Sequence, residues 1–112
     1  YPAPVHELNL NMLRAWGEKE ELKHVVLGYS GHETGLATTV ASVALGAKVV
    51  ERHITLDRAS TGSDHAGSTE AVGFAKLGRD IRAVSLSLGP PVPSARIVQI
   101  SEMASRKKLR GV

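Results

Sequence analysis

Two short apolar segments, separated by a helical pattern, constrain the fold of this chain more than any other feature of its sequence. The first covers residues 24–30 and the second residues 48–55. Between them, small apolar residues predict a helix over residues 36–45, and Gly46 stands where a helix C-terminus favours glycine. Strand, helix and strand in this order predict a βαβ unit, whose two strands run parallel.

Helices are also predicted on both sides of this unit. Apolar residues at every fourth position, Leu8, Met12 and Trp16, predict a helix over residues 5–20. Another helix is predicted over residues 70–88, because an apolar stripe precedes Gly89 and several prolines that end it. The stripe consists of Phe74, Leu77, Ile81, Val84 and Leu88.

The chain of 112 residues is long enough for one domain only. Residues 1–89 carry the alternating helices and strands, whereas residues 90–112 are predicted to be a Pro-rich exit and an irregular tail. Two parallel strands alone leave unpaired backbone groups on both edges of their sheet. We therefore expect either a piece of a larger parallel architecture or a second chain that completes the sheet.

Composition excludes several classes of function. The chain has no cysteine, so disulfides, thiol nucleophiles and Cys-ligated metal sites are ruled out. Aromatic residues make up only 4%, too few for a platform that stacks single-stranded nucleic acid. Because no apolar stretch is long enough to span a bilayer and no secretory signal is recognisable, we expect a cytoplasmic protein without membrane contact.

Polar side chains gather where the two predicted strands end. Ser30 and His32 stand at the end of the first strand, and His53 stands near the end of the second. In parallel α/β architectures these C-terminal strand ends form the working face. Two histidines there could bind a divalent ion such as Mn²⁺, Zn²⁺ or Fe²⁺, or each could simply hydrogen-bond a neighbour. Spacing alone leaves both interpretations open.

Glu51 and Ser30 carry two further alternatives. Glu51 lies two residues before His53 and is expected on the same inward face, where it would pair with a basic group or support a ligand. Ser30 stands between Gly28 and Gly31, which suits either an anion-binding turn or an ordinary strand-to-loop turn.

Four stretches, taken in order, resemble the sialic acid synthase (N-acetylneuraminate synthase) family over residues 1–89. They are residues 1–4 followed by Asn9-Leu10, then residues 28–35, 44–57 and 62–65. The resemblance implies a (βα)8 TIM barrel followed by a small antifreeze-like domain. It assigns this chain to about the last three βα units of that barrel.

The resemblance also implies an activity. Members of this family condense phosphoenolpyruvate with N-acetylmannosamine, or with its 6-phosphate, and release phosphate, using a divalent ion that is Mn²⁺ with Mg²⁺ as the alternative. The metal ligands of the family fall on His32 and His53. The serine that contacts phosphoenolpyruvate falls on Ser30, and residues near the sugar fall on Tyr1 and Asp64. Family members are homodimers.

No catalytic residue is assigned to this chain. The resemblance places the catalytic glutamates and the lysine that binds phosphoenolpyruvate in upstream strands that this sequence does not contain. We therefore expect the isolated chain to be inactive, and Glu51 to be structural or to support a metal ligand.

Two alternatives belong to other functional classes. One is a small non-enzymatic α/β module that binds a metal or phosphate. The other is nucleic-acid binding through the basic residues 106–110, although the net charge is only +3 and this run has no interleaved aromatics. We expect no nucleic-acid partner.

Overall fold

A parallel two-stranded sheet forms the centre of the computed structural model, which describes residues 1–89. Strand β1 (Gly28–Gly31) pairs with strand β2 (Val49–Arg52), so that Gly31 stands opposite Arg52. Helix α2 (Ala37–Ala44) connects the strands and packs against β1. The predicted α/β class and parallel βαβ unit are therefore confirmed.

Two of the three predicted helices end next to a glycine whose conformation stops the helix. At the end of α2, Gly46 has a φ of 111°, and its N–H donates to the carbonyl of Val43 at 3.1 Å. The N–H of Ala47 then donates to the carbonyl of Ser42 at 3.0 Å, which completes a Schellman motif. The last helix, α3 (Ala71–Ser87), stops just before Gly89, whose φ is 63°.

The prediction of one helix over residues 5–20 is wrong. The structure has a 3₁₀ turn at Val5–Glu7, helix α1 (Asn11–Gly17) and another 3₁₀ turn at Glu20–Leu22. Asn9 has a φ of 46°, in the left-handed region, and this conformation interrupts the helix before α1 begins. The spacing of Leu8, Met12 and Trp16 does not indicate the interruption at Asn9.

The first strand is also shorter than predicted, because pairing begins only at Gly28. Its partner β2 starts at Val49, immediately after the chain has turned out of α2. Residues 24–26 therefore have no strand beside them, and Val26 is 68% exposed. The second strand likewise pairs with β1 over four residues only, and beyond it Ile54 forms an isolated parallel bridge with Thr69.

The apolar core of the described residues is small. Its buried members come from the helices and from the turn before β2: Leu13, Val43, Ala47 and Leu77. Helix α3 packs against α2, but the two ends of its predicted apolar stripe, Phe74 and Leu88, remain about half exposed. Buried polar groups are unusually prominent beside this core and include Glu33, Thr39, Ser42 and Arg52.

No described helix has both the length and the apolar character that a membrane span needs. The predictions for residues 90–112 concern the Pro-rich exit, the irregular tail and the basic run at residues 106–110. All of these lie outside the described residues.

Candidate metal centre

His32 and His53 lie side by side at the C-terminal end of the sheet. Each follows its strand by one residue, and the parallel register of Gly31 with Arg52 makes them neighbours. Their ring centroids are 5.0 Å apart and the rings meet edge to face at 77°. The sequence-based expectation that two strand ends bring these histidines together agrees with this geometry.

Glu51 adds a carboxylate to the histidine pair. Its Oε1 is 3.8 Å from Nε2 of His53, and one ligand atom from each of Glu51, His32 and His53 lies within 4.8 Å of the others. The Glu51 side chain is 52% exposed among the described residues, rather than buried as its position on the strand suggested. It faces the histidines, on the side of β2 opposite Arg52.

The donor set fits a divalent transition ion. Two imidazole nitrogens and one carboxylate oxygen are ligands that Mn²⁺, Fe²⁺ and Zn²⁺ accept. Ligand atoms bound at about 2.1 Å from one ion lie no more than about 4.2 Å apart. The ligand atoms of the three residues lie within 4.8 Å of one another, so binding one ion requires only a small inward movement of the side chains.

Hydrogen bonds fix the orientation of His32. Its Nδ1 is 3.2 Å from the backbone carbonyl of Ser30, and because a carbonyl can only accept, Nδ1 carries the proton. The lone pair of a neutral ring is then on Nε2, the atom available to a metal. Ser30 also donates its hydroxyl to Oε2 of Glu51 at 2.5 Å, which joins the predicted phosphate-binding residue to the histidine pair.

Tyr1 and Asp64 lie on the other side of His53. The Tyr1 hydroxyl is 3.3 Å from Nδ1 of His53, and the two rings are stacked at 23°. An Asp64 oxygen is 3.8 Å from the same nitrogen. Tyr1 can approach because Gly67 lies beneath it: a Cβ at Gly67 would be 2.9 Å from Cε1 of Tyr1. All five residues predicted for the site therefore surround one small region.

A buried ion pair behind the site was missed by sequence reasoning. Arg52 Nη1 is 2.8 Å from Oε1 of Glu33, and the two side chains are 1% and 0% exposed. The carboxylate of Glu33 also accepts hydroxyl hydrogen bonds from Tyr29, Thr38 and Thr39. In the sequence, Arg52 alternates with Val50 and Ile54 on one face of the predicted strand. A charge on such an apolar face requires a partner, so this placement could have indicated the buried ion pair.

The network shifts the acidity of two of its members. Burial by itself would raise the pKa of Glu33, but hydrogen bonds from Thr38, from its own backbone N–H, and from Tyr29 outweigh that effect and hold the pKa below its usual 4.5. Burial raises the pKa of Tyr29, and its hydrogen bond to the Glu33 carboxylate raises it further. Glu33 is therefore the charged member and Tyr29 the neutral donor.

Comparison with known proteins gives relatives along almost the whole chain. The NeuB family model matches residues 1–92. Human N-acetylneuraminate-9-phosphate synthase is 44% identical over 97% of this chain, and an N,N'-diacetyllegionaminic acid synthase from Campylobacter jejuni is 37% identical over 85%. The chain spans only 29% and 28% of the lengths of these two relatives.

A solved structure agrees with this relationship. The crystal structure of an N-acetylneuraminic acid (sialic acid) synthetase from Leptospira borgpetersenii, in complex with citrate, superposes with a TM-score of 0.76 at 31% identity. The match covers 98% of this chain and 38% of that one. The resemblance to sialic acid synthases is confirmed, and the chain belongs to the NeuB family.

Proposed function

We propose that this chain forms part of the active site of a sialic acid synthase-type enzyme with a (βα)8 barrel. The reaction would join phosphoenolpyruvate to N-acetylmannosamine, or to its 6-phosphate, and yield a nonulosonic acid and phosphate. The observation that carries the proposal is the clustering of His32, His53 and their polar neighbours at adjacent C-terminal ends of parallel strands, in a member of the NeuB family.

His32 and His53 would hold the divalent ion, with Glu51 close enough to share in binding it. Two imidazoles favour Mn²⁺ over Mg²⁺, because Mg²⁺ prefers oxygen ligands and keeps several waters. A bound ion of this kind supplies Lewis acidity, which polarises a carbonyl oxygen. The chain's own part is to present the two imidazole rings together, with the proton of His32 held on Nδ1.

The remaining residues suit the two substrates. Ser30 offers a hydroxyl beside the ion site, and it can donate to a phosphate oxygen once it leaves Glu51. Asp64 is exposed and its carboxylate can accept hydrogen bonds from sugar hydroxyls. Tyr1 provides an apolar ring face with a polar hydroxyl at its end, a combination that suits an N-acyl sugar.

The names of the relatives support the product class. They are synthases of N-acetylneuraminate 9-phosphate and of diacetyllegionaminic acid, both of which are acidic sugars. The choice between a free and a phosphorylated amino sugar stays open in this proposal. A homodimer and a cytoplasmic location stay predictions from the resemblance and the sequence.

The metal assignment is tested by thermal unfolding of the protein at its full natural length, with and without Mn²⁺. At 100 times its Kd, Mn²⁺ bound to the folded state alone adds about 2.7 kcal/mol of stability, which raises Tm by several degrees. His53→Ala should lose this increase, whereas His24→Ala, which removes an exposed histidine outside the site, should retain it. An equal increase in His53→Ala would contradict the assignment.

The reaction is tested separately by mass spectrometry of the products. The full-length protein, given phosphoenolpyruvate, N-acetylmannosamine or its 6-phosphate and Mn²⁺, should form an N-acetylated keto acid with a nine-carbon backbone and release a matching amount of phosphate. Metal binding without any product from either sugar would favour the non-enzymatic metal-binding module instead.

A further inference from the structure

We propose that the buried pair of Glu33 and Arg52 is a positioning device, which sets the separation of His32 and His53 and the placement of Tyr1. The hydrogen bonds that the two side chains form go to residues other than Tyr1, Ser30, His32, His53 and Asp64. The inference rests on the proposed function in one respect, that the two histidines bind a divalent ion.

Each histidine is one peptide unit away from one member of the pair. Glu33 follows His32, and Arg52 precedes His53. Successive side chains of an extended chain point to opposite faces, so a histidine faces the site while its neighbour faces the interior. The ion pair of 2.8 Å therefore joins the two strand ends from behind.

Arg52 also holds the loops that surround the site. Its Nη2 donates to the backbone carbonyls of Glu33 at 2.8 Å, Gly35 at 3.2 Å and Gly67 at 3.1 Å. Gly67 is the residue on which the Tyr1 ring rests. One guanidinium thus connects the segment after β1, the segment after β2 and, through Gly67, the tyrosine.

The carboxylate is fixed as firmly as the guanidinium. Thr38 and Thr39, in the first turn of α2, donate to Oε1 of Glu33 at 2.5 and 3.0 Å, and Tyr29 donates to Oε2 at 2.9 Å. Thr39 also accepts from Nη1 of Arg52 at 3.2 Å. With both partners fixed, the pair has little freedom to rotate, and a shift of either one moves a histidine.

Lysine cannot replace Arg52 in this role. Its single ammonium lacks the planar fork that reaches a carboxylate and three carbonyls at once. Groups that orient metal ligands typically contribute 10–100-fold to metal affinity. We therefore expect Arg52→Lys and Arg52→Met each to weaken the Kd for Mn²⁺ by about tenfold or more.

The experiment is an electron paramagnetic resonance titration of Mn²⁺ into the protein at its full natural length. It is run at a temperature where circular dichroism shows each variant to be folded. Arg14→Met is the matched control, because it breaks the exposed pair of Arg14 with Glu18 and should leave the Kd unchanged. The bound-ion spectrum should also broaden in Arg52→Lys, a change that loss of stability alone would not produce.

Thr39→Val decides the matter if the arginine variants do not fold. It is nearly isosteric and removes one hydroxyl that touches both partners, so a several-fold weaker Kd is expected. The inference would be overturned if folded Arg52→Lys bound Mn²⁺ with wild-type affinity. If the arginine variants do not fold, wild-type affinity for Mn²⁺ in Thr39→Val would overturn it. If His53→Ala abolishes Mn²⁺ binding while the Arg52 and Thr39 variants bind Mn²⁺ normally, only the positioning role of the ion pair fails. If the wild type binds no Mn²⁺, the proposed metal site fails, and the positioning role fails with it.

Discussion

Arg52→Met should be one of the most destabilising single substitutions in the described part of the chain. The change removes the positive partner of Glu33, whose side chain has no contact with water. Breaking a buried ion pair from one side costs about 3–5 kcal/mol, because the remaining charge is left without compensation. Three carbonyls also lose their donor, so we expect the upper part of that range.

This loss is large against the whole stability of a domain, which is about 5–15 kcal/mol. The assay is urea unfolding at pH 7 followed by far-ultraviolet circular dichroism, with the m-value checked for a common unfolded state. Arg14→Met should cost less than about 1 kcal/mol, since its pair is exposed to solvent.

A double substitution separates the charge effect from the lost hydrogen bonds. Glu33→Gln combined with Arg52→Met leaves no buried charge, so its cost should be smaller than the sum of the two single costs by about 0.5–3 kcal/mol. Additive costs, or a loss below about 1 kcal/mol in Arg52→Met alone, would refute the view that the pair is a desolvated and coupled unit.

Three further predictions follow from the site and its support. Because the pKa of Glu33 lies below 4.5, its ionised form contributes fully to stability above that pH, and the contribution is lost as the pH falls through the folded-state pKa. Urea midpoints measured from pH 7 to 3 should therefore fall more steeply for wild type than for Glu33→Gln, and parallel curves would contradict this. The raised pKa of Tyr29 predicts that its phenol stays protonated above pH 10, which the difference between ultraviolet titrations of wild type and Tyr29→Phe measures. Gly67→Ala should displace the Tyr1 ring, since the new Cβ would lie 2.9 Å from it, and under the proposed function it should raise KM for the amino sugar more than it lowers kcat. Gly17→Ala, whose nearest atom would be 3.8 Å away, is the control, and equal kinetics for both variants would refute the steric argument.

Features with local causes were predictable from the sequence. The end of α2 follows from Gly46, which alone among common residues takes a φ of 111° without strain. The parallel order of β1 and β2 follows from the helix between them. Once that order is given, His32 and His53 must be close, because each follows its strand at the same position in the register.

Features with long-range causes were not predictable. The length of β1 depends on where β2 begins, which the apolar residues Val25 and Val26 do not reveal. The pairing of Glu33 with Arg52 joins residues 19 positions apart and depends on the register of the sheet. An arginine on an apolar face signals a missing partner, but several carboxylates in the chain could have supplied it.

The residues that fix the histidine pair all belong to one βαβ unit and its adjoining loop. The contacts of Glu33 and Arg52 come from β1, from the first turn of α2 and from Gly67, so this geometry is determined within residues 29–67. The apolar side chains Ile54, Leu56 and Phe74 differ, because they are largely exposed among the described residues and their burial requires further protein. Metal binding should thus depend on the buried ion pair, whereas those apolar side chains should affect the stability of the protein without setting the geometry of the histidine pair. Substitutions at Phe74 should therefore change Tm with little effect on the Kd for Mn²⁺, and Arg52→Lys should change the Kd even at temperatures where the protein remains folded.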